Sequence, residues 1–211
     1  MYFDLERLDG SLSYKLITAT IVPRPIAWLV TANAAGKINA APFSFFNAFS
    51  GSPAVICVGI GQRRDADKDS LANIRARGEF VVNLVSEELV EAMSLTSVDF
   101  PPDYDELQVA GLATEPSVKI GVPRIARSPV TLECTLQQVL DVGGGTNHIV
   151  VAGVAAMHIL DEAVINPERC HIDTAKLKIV GRMQSPGGYV RTTDTFKLPQ
   201  MGFEAWRAAK G

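Results

Sequence analysis

Residues 147–160 read NHIVVAGVAAMHIL, a run with no proline and no charged residue other than its histidines. Taken two at a time, His148, Val150, Ala152, Val154, Ala156 and His158 fall on one face. Ile149, Val151, Gly153, Ala155, Met157 and Ile159 fall on the other. Successive strand residues point to opposite sides of a sheet. Both faces here are apolar, so the spacing predicts a strand covered on both sides. Inside a small barrel one face fills the core, and the other is left for helices or a second subunit. A dimer is the expectation.

Outward from that strand, residues 26–32 (IAWLVTA), 38–44 (INAAPFS), 54–60 (AVICVGI), 79–85 (EFVVNLV) and 130–140 (VTLECTLQQVL) share its character. Each is short, rich in Val, Ile or aromatics, and bounded by turn residues. Asn33–Lys37 is a hairpin loop, and Gly143–Gly145 ends another turn. Helical signals are fewer: residues 11–19 after Ser11, 70–77 after Asp69 and Ser70, and 86–95 after Ser86 with Glu88 and Glu91 near its start. The tail, residues 201–211, reads as a short helix over a pocket or a subunit seam. Strands joined by tight turns predict a mainly β fold, an antiparallel barrel with helical additions, rather than a doubly wound parallel sheet.

The 211 residues predict one domain, 1–211, with 47% hydrophobic and 20% charged residues to build its core. A net charge of −3 gives no cationic field, which argues against nucleic acid as a partner. No apolar run reaches the roughly 18–20 residues of a membrane span, and MYFDLERLDGS lacks the pattern of a secretory leader. The expectation is a soluble cytoplasmic protein with no membrane partner. Cys57, Cys134 and Cys170 are far apart and form no CxxC pair, so they read as small buried residues. No HxxxH or HExxH spacing joins the three histidines, so no metal site is expected.

Two segments carry chemistry. Residues 62–73, QRRDADKDSLAN, place Arg63, Arg64 and Lys68 just before Asp69, Ser70 and a helical stretch. A helix start offers free N–H groups and partial positive charge, so with Lys68 and an Arg it can hold a phosphate dianion. The same residues also read as a solvated turn with Asp69 or Ser70 as an ordinary N-cap. Residues 39–49, NAAPFSFFNAF, set Asn39, Ser44 and Asn47 among Phe43, Phe45, Phe46 and Phe49. That mixture suits a flat heteroaromatic ligand, or else a barrel core with polar caps. His148 follows the glycine turn and is placed to bond a ligand or a backbone carbonyl. Gly59-Ile60-Gly61 begins like a dinucleotide fingerprint, but Arg64 stands at the third glycine. Residues 143–146, GGGT, lack the Lys of a phosphate loop, and no GxSxG is present.

In order, PRPIAWLVT (23–31), NAAPFSFFNAF (39–49), KDSLANI (68–74), GEFVVNLV (78–85), NHIVVAGVAAMHI (147–159), GRM (181–183) and GGYVRTTDTFKL (187–198) resemble the flavin reductase-like family of FMN-binding split-barrel proteins, in particular its flavoredoxin-like branch. The resemblance implies a Greek-key antiparallel split β-barrel that works as a homodimer with FMN near the interface. It makes Lys68-Asp69-Ser70 the phosphate-binding turn, with Arg64 or Arg63 as an added cation. It puts Thr31, Ser44, Phe45, Phe46 and Asn47 against the ribityl chain and isoalloxazine ring. His148 then lies near the flavin and the nicotinamide, as the candidate catalytic residue. Arg182 and Tyr189 lie in a C-terminal segment that approaches the cofactor from a partner subunit. Relatives carry Gly-Glu where this chain has Ala152-Gly153, so whatever that Glu does is missing here. The implied activity is an NAD(P)H-dependent flavin reductase that moves hydride to flavin N5, with NADH or NADPH as donor and an oxygenase or electron-acceptor protein as partner. An electron-transfer flavoprotein with tightly bound FMN is the alternative, and a cofactor-storage dimer a third reading.

Overall fold

The computed structural model describes residues 1–63, 66–100, 104–184 and 186–209. Asn33 makes the first turn as expected: its Oδ1 accepts from the N–H of Ala35 at 3.0 Å and of Lys37 at 2.9 Å. Gly36 supplies the positive φ, +82°, that the turn requires. This hairpin joins Ala27–Ala32 (β1) to Ile38–Phe43 (β2). Then come Phe46–Gly51 (β3), Ala54–Gly61 (β4), Glu79–Asn83 (β5), Val130–Val142 (β6) and Asn147–Ile159 (β7). Among the described residues these seven strands form one antiparallel sheet in the order β2-β1-β5-β6-β7-β4-β3. Strands β2 and β3 are its opposite edges, yet only Ser44 and Phe45 separate them in the chain. Two residues span at most about 7 Å, so the edges must meet and the sheet must curl. The fold is the split barrel implied by the sequence.

Strand β3 was not among the expected strands, because its alternation of Phe, Asn, Ala and Ser gives no clean period-2 signal. The other strands and the first three helices lie where expected: Gly10–Thr20 (α1), Asp69–Arg77 (α2) and, over 86–95, a 3₁₀ turn at Glu87–Leu89 running into Val90–Leu95 (α3). The caps differ. Asp9, not Ser11, caps α1 by accepting the Ser11 N–H at 2.8 Å. Lys68 is the N-cap residue of α2, and no side chain caps that helix.

The barrel interior is filled by Leu29, Val58, Phe80, Val82, Cys134 and Val150, and Leu71 and Ile74 of α2 plug one end. A second core covers the outside of β1 and β5. There Trp28, Val30 and Val81 pack with Leu89, Met93 and Ile125, and with Leu107 of a short helix, Glu106–Val109 (α4). Trp28 donates its indole N–H to Thr96 Oγ1 at 2.9 Å, which satisfies the polar atom this core buries.

The face assignment for β7 holds only as far as Val154. A bulge leaves Ala155 unpaired, since Glu133 opposes Ala156 while the next residue, Cys134, opposes Val154. An extra residue reverses the parity of everything beyond it. His158 therefore faces away from the barrel interior and bonds the fully buried Glu133 through Nε2 at 2.6 Å. Of the cysteines, Cys134 is buried as expected, while Cys57 is half-buried and Cys170 exposed. The tail forms a short helix, Phe203–Ala208, that buries no residue. Among the described residues no helix is long and apolar enough to cross a membrane.

Candidate functional site

The joint between the two sheet edges opens a groove of about 830 Å³. Tyr14 and Ile17 of α1 form one wall, Phe43 to Asn47 the rim, and Cys57 to Gly61 of β4 with His148 the floor. Tyr14, Phe43, Phe45, Phe46 and Phe49 give the groove aromatic surface, and the Tyr14 and Phe45 rings sit 6.1 Å apart. Gly59 is required here, because a Cβ on it would lie 2.9 Å from Cβ of Phe45. The volume falls within the roughly 300–1,000 Å³ of small-molecule sites.

Past Pro42, Phe43 and Lys68 the groove runs into a smaller polar pocket of about 170 Å³, walled by Asn39, Arg63, Asp69, Ser70, Thr96 and Glu106 among others. Lys68 thus stands at the junction, its ammonium 5.5 Å from the Phe43 ring centroid. The first turn of α2 points its N–H groups toward this end, with no side chain spent on capping them. The turn is braced from behind. Asn39 donates to Ser70 Oγ at 3.0 Å, and Asn73 donates to Thr31 Oγ1 at 3.0 Å.

The expected site residues separate into groups. Ser44, Phe45, Phe46, Asn47, Lys68 and His148 line the groove, and Asp69 and Ser70 line the polar pocket. Thr31 is fully buried behind the α2 turn, so it supports the site rather than facing it. Arg63 reaches the polar pocket but is ion-paired with Asp99. Arg64 lies outside the described residues. Arg182 and Tyr189 line a third hollow of about 180 Å³, which shares Pro42, Phe43 and Ser44 with the groove. The Arg182 guanidinium lies 4.7 Å over the Tyr189 ring.

Sequence reasoning missed several residues. Arg24, between Pro23 and Pro25, is buried. It donates to the carbonyls of Thr18 and Ile21 at 2.7 Å each and of Met183 at 2.8 Å. It thereby ties α1, one wall of the groove, to the C-terminal segment. A cation held between two prolines beside a buried strand was the available signal. Tyr14 and Ile17 gave none, because nothing local says which face of α1 meets the barrel. Nor did Asp67, Arg75 and Asp141, which surround His148. Among the described residues no backbone carbonyl bonds the imidazole: Nδ1 lies 2.7 Å from Asp141 Oδ1, and Nε2 lies 3.5 Å from Asp67 Oδ1. Its hydrogen bond holds the Asp141 carboxyl below its usual range.

A cleft lined by apolar and aromatic side chains that runs past Lys68 into a small polar pocket at the start of α2 can bind an aromatic ring system that carries one phosphate. The flavin reductase-like domain profile matches residues 19–171. An uncharacterized protein of Deinococcus radiodurans is 41% identical over 211 residues, spanning 98% of this chain and 92% of its own. Among solved structures, nitrilotriacetate monooxygenase component B from Bacillus cereus superposes with a TM-score of 0.88 at 26% identity, over 94% of this chain and 98% of that one. The 2-nitrobenzoate 2-nitroreductase of Pseudomonas fluorescens gives 0.87 at 32% identity, over 96% and 98%.

Proposed function

Since the chain belongs to the flavin reductase-like domain family, we propose that this flavin oxidoreductase uses FMN, takes hydride from NADH or NADPH, and passes the electrons to an acceptor outside its own chain. The observation that carries the reading is the continuity of a groove lined by aromatic side chains with a polar pocket at the uncapped start of α2, with Lys68 at their junction. Bound flavin supplies the redox chemistry, since its ring accepts hydride at N5. Everything else falls to the chain's own residues. Lys68, the Ser70 hydroxyl and the first α2 N–H groups hold the phosphate. Phe43, Phe45 and Tyr14 cover apolar surface and keep water from it, while Ser44 and Asn47 offer hydrogen bonds to a ring edge. A mononucleotide fits better than a dinucleotide, because the polar pocket of about 170 Å³ has room for one phosphate and not for a nucleotide beyond it.

The assembly proposed is a homodimer. Met157, Leu160 and Ile165 are exposed at one end of the long β6–β7 pair, and Leu140 and Val142 at the other, leaving apolar surface for a second copy. The acceptor proposed is an oxygenase, by likeness to a protein described as a monooxygenase component. Titrating ligand-free protein with FMN, FAD and riboflavin tests the cofactor: FMN should bind tightest and its fluorescence should be quenched beside Tyr14. Equal or tighter binding of FAD would remove the argument from the size of the polar pocket.

A further inference from the structure

Two carboxylates, a guanidinium and an imidazole close a ring beside the Lys68 turn. Arg75 of α2 touches Asp67 Oδ2 at 3.2 Å through Nε and Asp141 Oδ1 at 3.4 Å through Nη2. His148 touches the same two carboxylates, Asp141 through Nδ1 at 2.7 Å and Asp67 at 3.5 Å from Nε2. The ring therefore links the last residues of β6, the first of β7, the last turn of α2 and the residue just before Lys68. An Arg75 Nη2 also lies 3.3 Å from His148 Nδ1. Nδ1 has one position for a hydrogen bond, and the shorter contact pairs it with Asp141, which leaves Arg75 to brace that carboxylate. His148 is only 4% exposed, and its Nε2 is buried without a hydrogen bond.

We propose that Asp141 and Arg75 are positioning residues of the cofactor site, holding His148 against Asp67 so that the Lys68 turn stands ready for the phosphate before the ligand arrives. The inference rests on the FMN reading above and deepens it. The physical need is plain. A helix start whose N–H groups are left open for a ligand cannot use an N-cap for rigidity, so the rigidity must come from its flanks. Thr31, Asn39 and Asn73 brace one flank of α2, and the ionic ring braces the other. Asp141 stands directly opposite His148 in the β6–β7 register, so the sheet itself delivers the pair. Asp67, Arg75 and Asp141 carry the charges in contact with the imidazole, with Lys68 the next charged residue on the groove wall.

Asp141→Asn keeps the shape and removes the charge. Long-range ¹H–¹⁵N NMR of the flavin-free protein, with the His148 signals identified by their loss in His148→Gln, reads which ring nitrogen carries hydrogen. Wild type should show the proton on Nδ1, Asp141→Asn should lose that preference, and Asp141→Glu should restore it. In parallel, FMN affinity should fall about tenfold in Asp141→Asn, the scale of one weakened charge-assisted contact. Riboflavin, which has no phosphate, should bind within about twofold of wild type. An unchanged tautomer, or an unchanged FMN-to-riboflavin ratio, overturns the proposal. Wild-type protein that binds no flavin at all defeats the functional reading, while the tautomer still decides whether the ring orders His148. If Asp141→Asn does not fold, Arg75→Met faces the same two measurements, with loss of the FMN preference expected and its retention refuting the idea.

Discussion

Replacing Lys68 with Met keeps most of the side chain's length and its packing against Phe43 while deleting one charge. The lysine is the charged group shared by the groove and the polar pocket. Two unit charges about 4 Å apart interact by about 4 kcal/mol at an effective dielectric of 20. Desolvation and the ordering of a long side chain take back part of that, leaving about 1.5–3 kcal/mol, the usual value of a hydrogen bond to a charged group. At 1.4 kcal/mol per tenfold, the FMN Kd should rise about 10- to 150-fold. Riboflavin serves as the internal control, and its Kd should stay within about twofold. Fluorescence titration of ligand-free protein with each flavin, repeated at two salt concentrations, measures both. The wild-type preference for FMN should shrink as salt rises, because this end of the site is open to solvent. An FMN affinity that survives Lys68→Met would show that the phosphate is held elsewhere. A parallel loss for riboflavin would show that Lys68 shapes the groove rather than binding charge.

Burial pushes the Cys134 thiol up to about 12 and raises that of Cys57 as well. A disulfide reagent should therefore label exposed Cys170 first, Cys57 slowly and less with FMN bound, and Cys134 only after unfolding; FMN-independent labelling of Cys57 would contradict its place in the groove. Burial alone would raise the carboxyl of Glu133, but hydrogen bonds from His158 and from the N–H groups of Val118 and Lys119 outweigh it and hold the group below its usual range. A carboxylate depressed in this way stabilises the fold fully above its unfolded value near 4.3 and stops doing so as pH falls through its folded value. Glu133→Gln should thus cost about 1–3 kcal/mol at neutral pH, with the gap to wild type closing below about pH 4; a gap constant down to about pH 3 would refute this. Thr96→Val strands the Trp28 N–H in the outer core and should cost about 1–3 kcal/mol, seen as a melting point lower by roughly 2–4 °C for each kcal/mol. An unchanged melting point would mean the indole finds another acceptor.

Local chemistry made the strands legible. β1, β4, β5, β6 and β7 carry Val and Ile runs between turn residues, and Asn33 with Gly36 marks its hairpin unaided. β3 was hidden because its apolar and polar residues serve a groove edge and a strand at once. The face of His158 was misplaced because a bulge is set by the pairing of two strands, and neither strand announces it alone. At the site, Lys68, Ser44 and the phenylalanines could be read because their residue types state their chemistry. The ring of Asp67, Arg75, Asp141 and His148 could not. Its members come from three separate stretches, and each one alone resembles an ordinary surface charge or a strand-end histidine. Arg24 was hidden for a related reason, since its partners are backbone carbonyls from both ends of the chain.

The most direct test of the central claim is a visible spectrum of the protein loaded with FMN, followed under strictly anaerobic conditions as NADH and then NADPH is added. The account predicts a flavin band that bleaches with one of the two donors at a rate suited to turnover and returns when an electron acceptor is admitted. A band that ignores both nucleotides and bleaches only with dithionite would contradict hydride transfer from a nicotinamide. Protein that takes up no FMN would contradict the site itself.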